Sequence, residues 1–104
     1  MPGDPTATDP LGNTVHLLPE VYFTHNEEKG IYDDVTTVIN KPAALIEVKE
    51  HGETQYYYLR SVGWNNALLI VSRFHNNRWE AFRLFDNPPA DLMSAILKKG
   101  KQMI

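Results

Sequence analysis

Four runs of apolar and β-branched residues, separated by short polar turns, dominate the second half of the chain. They cover residues 43–50, 54–62, 67–74 and 78–86. The turns between them contain glycine or asparagine, residues that accept the backbone conformations of tight turns. Runs of this length and composition are typical of strands that are partly or fully buried. The pattern predicts four consecutive strands paired as an antiparallel meander.

Helical spacing of apolar residues occurs on both sides of these runs. Residues 31–39 carry one apolar stripe at this spacing. Residues 90–99 carry another, which ends at Gly100, a residue type that commonly terminates helices. Nearer the N-terminus, Pro19 is compatible with the start of a short helix, but a strand that ends at Leu18 fits the same residues.

The first fourteen residues contain three prolines and two glycines but few large apolar side chains. Such a segment buries too little apolar surface to offset the entropy lost on ordering. The sequence therefore predicts a disordered tail at residues 1–14 and a single α+β domain at residues 15–104. The expected architecture is an N-terminal helix or helices, a four-stranded antiparallel β-meander and a C-terminal helix.

The register of the predicted strands decides which side chains meet, because side chains alternate between the two faces of a strand. If each hairpin is symmetric about its turn, Tyr57 lies opposite Glu47 and Ser72, and Ser72 lies opposite Glu80. These four residues then form one polar row across the sheet, whereas Arg73 lies on the other face. A bulge in any strand would shift its side chains to the opposite face.

Composition narrows the classes of protein to which the chain can belong. The 104 residues suffice for one domain, and the absence of cysteine excludes disulfides, thiolate metal sites and a cysteine nucleophile. The four histidines have no short metal-ligand spacing, so neither a metal nor a cofactor is expected. No apolar run approaches the roughly 18 residues of a membrane span, and the N-terminus lacks a signal-peptide pattern. A cytoplasmic protein without a membrane partner is expected.

Charge is divided unevenly along the chain, although the net charge is only −3. Residues 1–53 hold ten acidic and three basic side chains, a net charge of −7. Residues 54–104 hold three acidic and seven basic side chains, a net charge of +4. Four arginines of the second half lie in or beside the predicted strands. They either decorate solvated strand faces or form a local anion-binding patch on an acidic protein.

Several short stretches, taken in order, resemble a known family. They are THNE at 24–27, the helix at 32–40, KPAALI at 41–46, QYYY at 55–58, ALLIVS at 67–72, RWEAF at 78–82 and KKGK at 98–101. Together they resemble the phage-associated barnase/EndoU/colicin/RelE-type nuclease domains. The resemblance implies an RNA endonuclease that needs no metal and uses the ribose 2′-hydroxyl to attack the adjacent phosphate. The family often has a hydroxyl residue in the last strand, where this chain has Glu80 and Ala81.

Cleavage of this kind needs a base for the 2′-hydroxyl, an acid for the leaving oxygen and positive charge near the phosphate. The candidates are His25 as acid or base, Glu80 as base, Arg73 or Arg83 on the phosphate, and Tyr57 as hydrogen-bond donor or stacking surface. Each candidate also has a non-functional interpretation. His25 can be a surface histidine, Glu80 a solvent-facing strand residue, and Tyr57 an aromatic side chain packed in the sheet.

RNA is accordingly the expected ligand, and a protein inhibitor or partner is a further expectation. The second hypothesis is a non-catalytic interaction domain on the same fold, which presents an exposed tyrosine and tryptophan face to a protein. The acidic net charge and the departure from the family pattern in the last strand favour this second hypothesis.

Overall fold

The computed structural model describes residues 5–22, 31–61 and 66–104 of the chain. In chain order the elements of these residues are β1 (Thr6–Thr8), β2 (Thr14–Leu17), α1 (Pro19–Tyr22), α2 (Ile31–Asn40), β3 (Ala44–Glu50), β4 (Glu53–Ser61), β5 (Ala67–His75), β6 (Arg78–Asp86), α3 (Ala90–Lys99) and β7 (Lys101–Gln102). None of the described helices is long and apolar enough to cross a membrane.

The described strands form one mixed sheet of seven strands with the order β1-β2-β6-β5-β4-β3-β7. Strands β3 to β6 pair antiparallel with their chain neighbours, but β2 pairs parallel to β6. The predicted architecture of N-terminal helices and a four-stranded antiparallel meander was therefore wrong, although the protein is still α+β. Strands β1, β2 and β7 have only 3, 4 and 2 residues, too few for an alternating pattern to be recognised in the sequence.

Of residues 1–14, for which a disordered tail was predicted, the structure describes residues 5–14, and there β1 pairs with β2 and Ala7 is buried. In the turn between these strands, Asp9 is also buried. Its Oδ1 accepts hydrogen bonds from the backbone N–H groups of Leu11 and Asn13, at 3.0 and 2.8 Å. A side chain that satisfies the backbone of its own turn stabilises a segment in which apolar burial is small.

Asp9 also connects this N-terminal turn to the centre of the sheet. The Tyr58 hydroxyl donates to Asp9 Oδ2 at 2.7 Å, and the Ser72 hydroxyl donates to the Tyr58 oxygen at 3.2 Å. All three residues are buried. Inside a protein, where the effective dielectric constant is low, a fully partnered polar network holds its members in one arrangement. A buried side-chain network therefore supplements strand pairing in holding the N-terminus on the sheet.

The two faces of the sheet are covered differently. On the first face, α1 and α2 pack on the larger hydrophobic core, to which they contribute Val21 and Val38 and the sheet contributes Tyr58. On the second face, α3 packs through Ile96 against Leu69 and neighbouring apolar side chains. Of the described helices, α3 alone covers this second face, and it lies toward β3. The second face of β2 and of the start of β6 therefore has no covering helix within the described residues.

Two of the hairpin turns are shorter than predicted from the sequence. The β3–β4 turn consists of His51 and Gly52, and the β5–β6 turn consists of Asn76 and Asn77. All four residues have positive φ. Two-residue turns with positive φ at both positions match the right-handed twist of paired strands. Each turn is one residue shorter than expected, so the pairing slips by one position.

The β4–β5 pairing is also displaced by one position from the predicted register, and the three displacements together break up the predicted polar row. Glu47 and Ser72 both pair with Tyr56 instead of Tyr57, and Ser72 does not pair with Glu80. Because a shift of one residue moves a side chain to the other face, Glu47 and Ser72 lie on the first face, whereas Tyr57 and Glu80 lie on the second. The prediction of a single row containing all four residues was wrong.

The buried hydroxyl of Tyr58 makes the stability of the protein depend on pH in the alkaline range. Burial raises the pKa of Tyr58 well above the ordinary value of 10.0; the hydrogen bond from Ser72 lowers it, and Asp9 raises it further. Above a pH of about 10 the unfolded chain releases this proton and the native state keeps it. The stabilisation is therefore complete below that pH, and the free energy of unfolding should fall above it by about 1.4 kcal/mol per pH unit for this group.

Denaturant unfolding at a series of pH values from neutral to strongly alkaline measures this dependence. Tyr58→Phe should reduce the alkaline slope by the contribution of one group. A smaller slope should remain, because burial also raises the pKa values of Tyr56 and Tyr57 above 10.0. If the free energy of unfolding falls with pH equally steeply in the native protein and in Tyr58→Phe, the Tyr58 hydroxyl is not a cause of the alkaline loss of stability.

Candidate active site

The second face of the sheet brings together four of the five candidate residues, Tyr57, Arg73, Glu80 and Arg83. Glu80 on β6 pairs with Arg73 on β5, and Arg73 pairs with Gln55 on β4. Tyr57 follows two residues later on β4, so it shares the face of Gln55, and its hydroxyl donates to Gln55 Oε1 at 3.0 Å. The predicted register placed Arg73 on the opposite face from Tyr57 and Glu80, whereas the observed register places all three on one face. The fifth candidate, His25, lies outside the described residues.

A histidine that the sequence analysis did not select extends this group. His16 lies within β2 and pairs with Glu80 through the parallel β2–β6 ladder. Paired residues project to the same face, and neighbouring strands lie about 4.8 Å apart. His16, Glu80 and Arg73 therefore stand side by side on three adjacent strands, and we call these three residues the ionisable row. The only local signal of β2 is one polar residue between Val15 and Leu17, and nothing in it indicates a partner strand near the other end of the chain.

Glu80 is buried, with 5% of its surface exposed. The Nε of Arg78 donates to Glu80 Oε2 at 2.8 Å. The two residues lie two positions apart on β6 and so share a face. A charge-assisted hydrogen bond of this length offsets part of the free energy needed to bury a carboxylate. Arg78 therefore positions the Glu80 carboxylate within the row.

Two polar atoms of the ionisable row are buried without a hydrogen-bond partner in the part of the chain that the structure describes. They are Nδ1 of His16 and Nε of Arg73. Buried polar groups in folded proteins are nearly always partnered, so an orphaned group calls for an explanation such as a bound ligand or water. The Arg73 guanidinium stacks on the Phe82 ring, with its Cζ 4.4 Å from the ring centre. Packing therefore fixes the position of Arg73, although the hydrogen bonding of the ionisable row is incomplete.

A cavity of about 300 Å³ adjoins the row on the same face. Its lining includes Gln55, Tyr57, Phe82, Arg83 and Leu92. Phe82 and Gln55 connect the cavity to Arg73, because Phe82 stacks on Arg73 and Gln55 pairs with it. Burial, followed by the negative charge of Glu50, raises the pKa of Tyr57 above 10.0, so its hydroxyl remains a donor at neutral pH.

Positive charge is concentrated on this face by Arg73, Arg78 and Arg83. Within residues 5–22, 31–61 and 66–104, no three His, Asp or Glu side chains are grouped in a way that could hold a metal ion. The row offers a carboxylate, an imidazole and a guanidinium to one small anionic group. These are the groups required for proton transfer and charge stabilisation at a phosphate.

Comparisons with known proteins identify no relative of the chain. No model of a protein family, no curated protein and no solved structure matches it. The resemblance to nuclease domains therefore remains a prediction, and the function must be inferred from the site.

Proposed function

We propose that the protein is an RNA endonuclease that works without a metal ion and that the ionisable row is its catalytic centre. The observation that supports this is the placement of His16, Glu80 and Arg73 side by side on three neighbouring strands. In this proposal His16 acts as the acid, whereas the sequence predicted His25 as acid or base. Glu80 and Arg73 keep the roles that were expected of them.

Each group acts differently in the cleavage step. Glu80 accepts the proton of the ribose 2′-hydroxyl while that oxygen forms a bond to the adjacent phosphorus. His16 donates a proton to the 5′-oxygen while the bond between that oxygen and phosphorus breaks. The products are a 2′,3′-cyclic phosphate and a 5′-hydroxyl, and proton exchange with water restores both side chains. Arg73 stabilises the negative charge that develops on the phosphate oxygens.

The neighbouring cavity provides a place for a base next to the cleaved bond. Phe82 and Tyr57 offer aromatic surface there, and stacking of a base on an aromatic side chain contributes about 1–3 kcal/mol. Arg83 is exposed beside the cavity and can contact a further phosphate. Because a base must leave its own stack to enter, the substrate of this site is single-stranded RNA.

Incubation of the purified protein with single-stranded RNA in the presence of EDTA tests the proposal. We expect cleavage into fragments that end in a 2′,3′-cyclic phosphate. The matched substrate is the same oligonucleotide with deoxyribose at the cleaved position, which lacks the nucleophile and should stay intact. Cleavage of the deoxyribose substrate, or loss of cleavage in EDTA, would contradict this chemistry.

A folded protein that leaves RNA intact would instead favour the non-catalytic interaction domain. One observation supports that alternative, since Phe74 is exposed and lies edge-on to Trp79, with ring centres 5.5 Å apart. Exposed aromatic surface of this kind commonly contacts a protein or a ligand.

A further inference from the structure

The first face of the sheet carries a second cavity, of about 530 Å³, where the β3–β4 and β5–β6 turns lie. Three aromatic side chains form part of its wall: Tyr56, Phe74 and Trp79. The ring centres of Tyr56 and Trp79 are 4.8 Å apart, and Phe74 meets Trp79 edge-on. Phe74 is 52% exposed, so an aromatic face remains open to a ligand. This cavity lies on the opposite face of the sheet from the ionisable row.

One carboxylate, that of Glu47, contributes to the same lining. Glu53 borders the cavity as well, but its carboxylate accepts a hydrogen bond from Gln55 Nε2 at 2.8 Å on the second face. The Tyr56 hydroxyl donates to Glu47 Oε2 at 3.1 Å, which fixes that carboxylate beside the rings. The Glu47 side chain is only 15% exposed and is therefore largely removed from water. Negative charge next to aromatic faces is the combination that attracts an organic cation.

The cation that the chain itself supplies to this cavity is weakly held. Lys49 Nζ lies 3.9 Å from Glu47 Oε1, and the Lys49 side chain is 70% exposed. An exposed ion pair at such a distance contributes little free energy. Lys49 is thus a weakly held partner of Glu47, and a cation from outside can displace it.

We infer that this cavity binds an alkylammonium group, the cation presented by a lysine side chain of a partner protein or by a choline-type molecule. The aromatic faces and the largely desolvated carboxylate of Glu47 both favour a bulky, weakly hydrated cation. The same carboxylate repels phosphate, so nucleic acid does not fit this surface. The inference does not depend on RNA cleavage, because none of these residues belongs to the ionisable row.

Titration with choline chloride, followed by the indole N–H signal of Trp79 in NMR spectra, tests the inference. Dimethylbutanol, in which carbon replaces the charged nitrogen, is the matched neutral ligand, and sodium chloride controls for ionic strength. We expect a saturable shift with choline and binding of the neutral alcohol that is weaker by about fivefold or more. Equal binding of the two ligands, or no saturable shift with choline, would overturn the inference.

Charge variants in the same titration give opposite expectations. Glu47→Gln keeps the side-chain shape and should weaken choline binding by about fivefold. Lys49→Gln removes the competing cation and should strengthen binding by about twofold. Unchanged affinity in both proteins would mean that the Glu47 carboxylate does not attract the ligand, and the inference would fail.

A peptide that contains trimethyl-lysine distinguishes the two sources of the cation. Tighter binding of this peptide than of choline assigns the site to a protein partner. Affinity equal to that of choline assigns the site to a small molecule. RNA cleavage by the charge variants should be unchanged, and this separates a failure here from a failure of the proposed nuclease activity.

Discussion

Glu80→Gln is expected to lower the rate of RNA cleavage by about 10²- to 10⁴-fold, the range contributed by general acid–base catalysis. Glutamine keeps the size of the side chain and can still accept a hydrogen bond from Arg78, but it cannot take the proton of the ribose 2′-hydroxyl. The change replaces one buried polar group with another, so the fold should survive. Initial rates on a defined single-stranded RNA, together with a thermal unfolding curve, measure both effects.

His16→Gln should reduce the rate by a similar factor, because it removes the acid for the leaving oxygen. The double variant should lose much less than the product of the two factors, since both groups act in one step. Glu50→Gln and His51→Asn are matched controls at exposed positions, and asparagine accepts the positive φ of residue 51. Full activity in Glu80→Gln, or equal losses in the controls, would show that the row is not the catalytic centre.

Asp9→Ala is expected to lower the free energy of unfolding by about 2–4 kcal/mol. The buried carboxylate accepts hydrogen bonds from the backbone of Leu11, from the backbone and side chain of Asn13, and from the hydroxyl of Tyr58. Alanine leaves these donors without their acceptor and opens a small cavity. Urea unfolding followed by tryptophan fluorescence measures the loss.

Asp86→Ala is the matched control, because it removes an exposed carboxylate at the end of β6 and should change stability by less than about 0.5 kcal/mol. Tyr58→Phe separates the two sets of hydrogen bonds made by Asp9, since it removes the bond from Tyr58 and keeps those from Leu11 and Asn13 within the turn. Its effect should lie between those of the two aspartate variants. A loss in Asp9→Ala as small as that in Asp86→Ala would mean that the N-terminal turn does not depend on the buried carboxylate.

The positions of the longer elements could be predicted because each has a repeating pattern of its own. α3 spans Ala90–Lys99, the residues with helical spacing, and α2 spans Ile31–Asn40, one residue more than its apolar stripe. β6 spans Arg78–Asp86, the run that was expected to form the last strand. Local periodicity shows where such elements lie, but it does not show how they are joined into a sheet. The number of strands and the direction of β2 depend on pairing between distant residues, and the predicted architecture failed there.

The arrangement of the candidate site could not be predicted from the sequence for the same reason. His16 enters the row only because β2 pairs with β6, and a strand of 4 residues gives little local signal. The faces of Tyr57 and Glu80 depend on the length of each hairpin connection, and the turn sequences are compatible with more than one length. Tyr57, Arg73 and Glu80 were chosen for their chemistry, and the structure places them on one face through a register that differs from the predicted one.

The parallel ladder between β2 and β6 also determines when during synthesis a working nuclease of this design can exist. His16 is made early and Glu80 late, so a ribosome-bound chain cannot join them before β6 has emerged. The strands of the central hairpins are near each other in the sequence and can pair early, whereas β2 can pair only after β6 has formed. Under the proposed function, incomplete copies of the chain could not attack the ribosome that makes them. Detachment of β2 from β6 would then stop cleavage and leave the central hairpins paired.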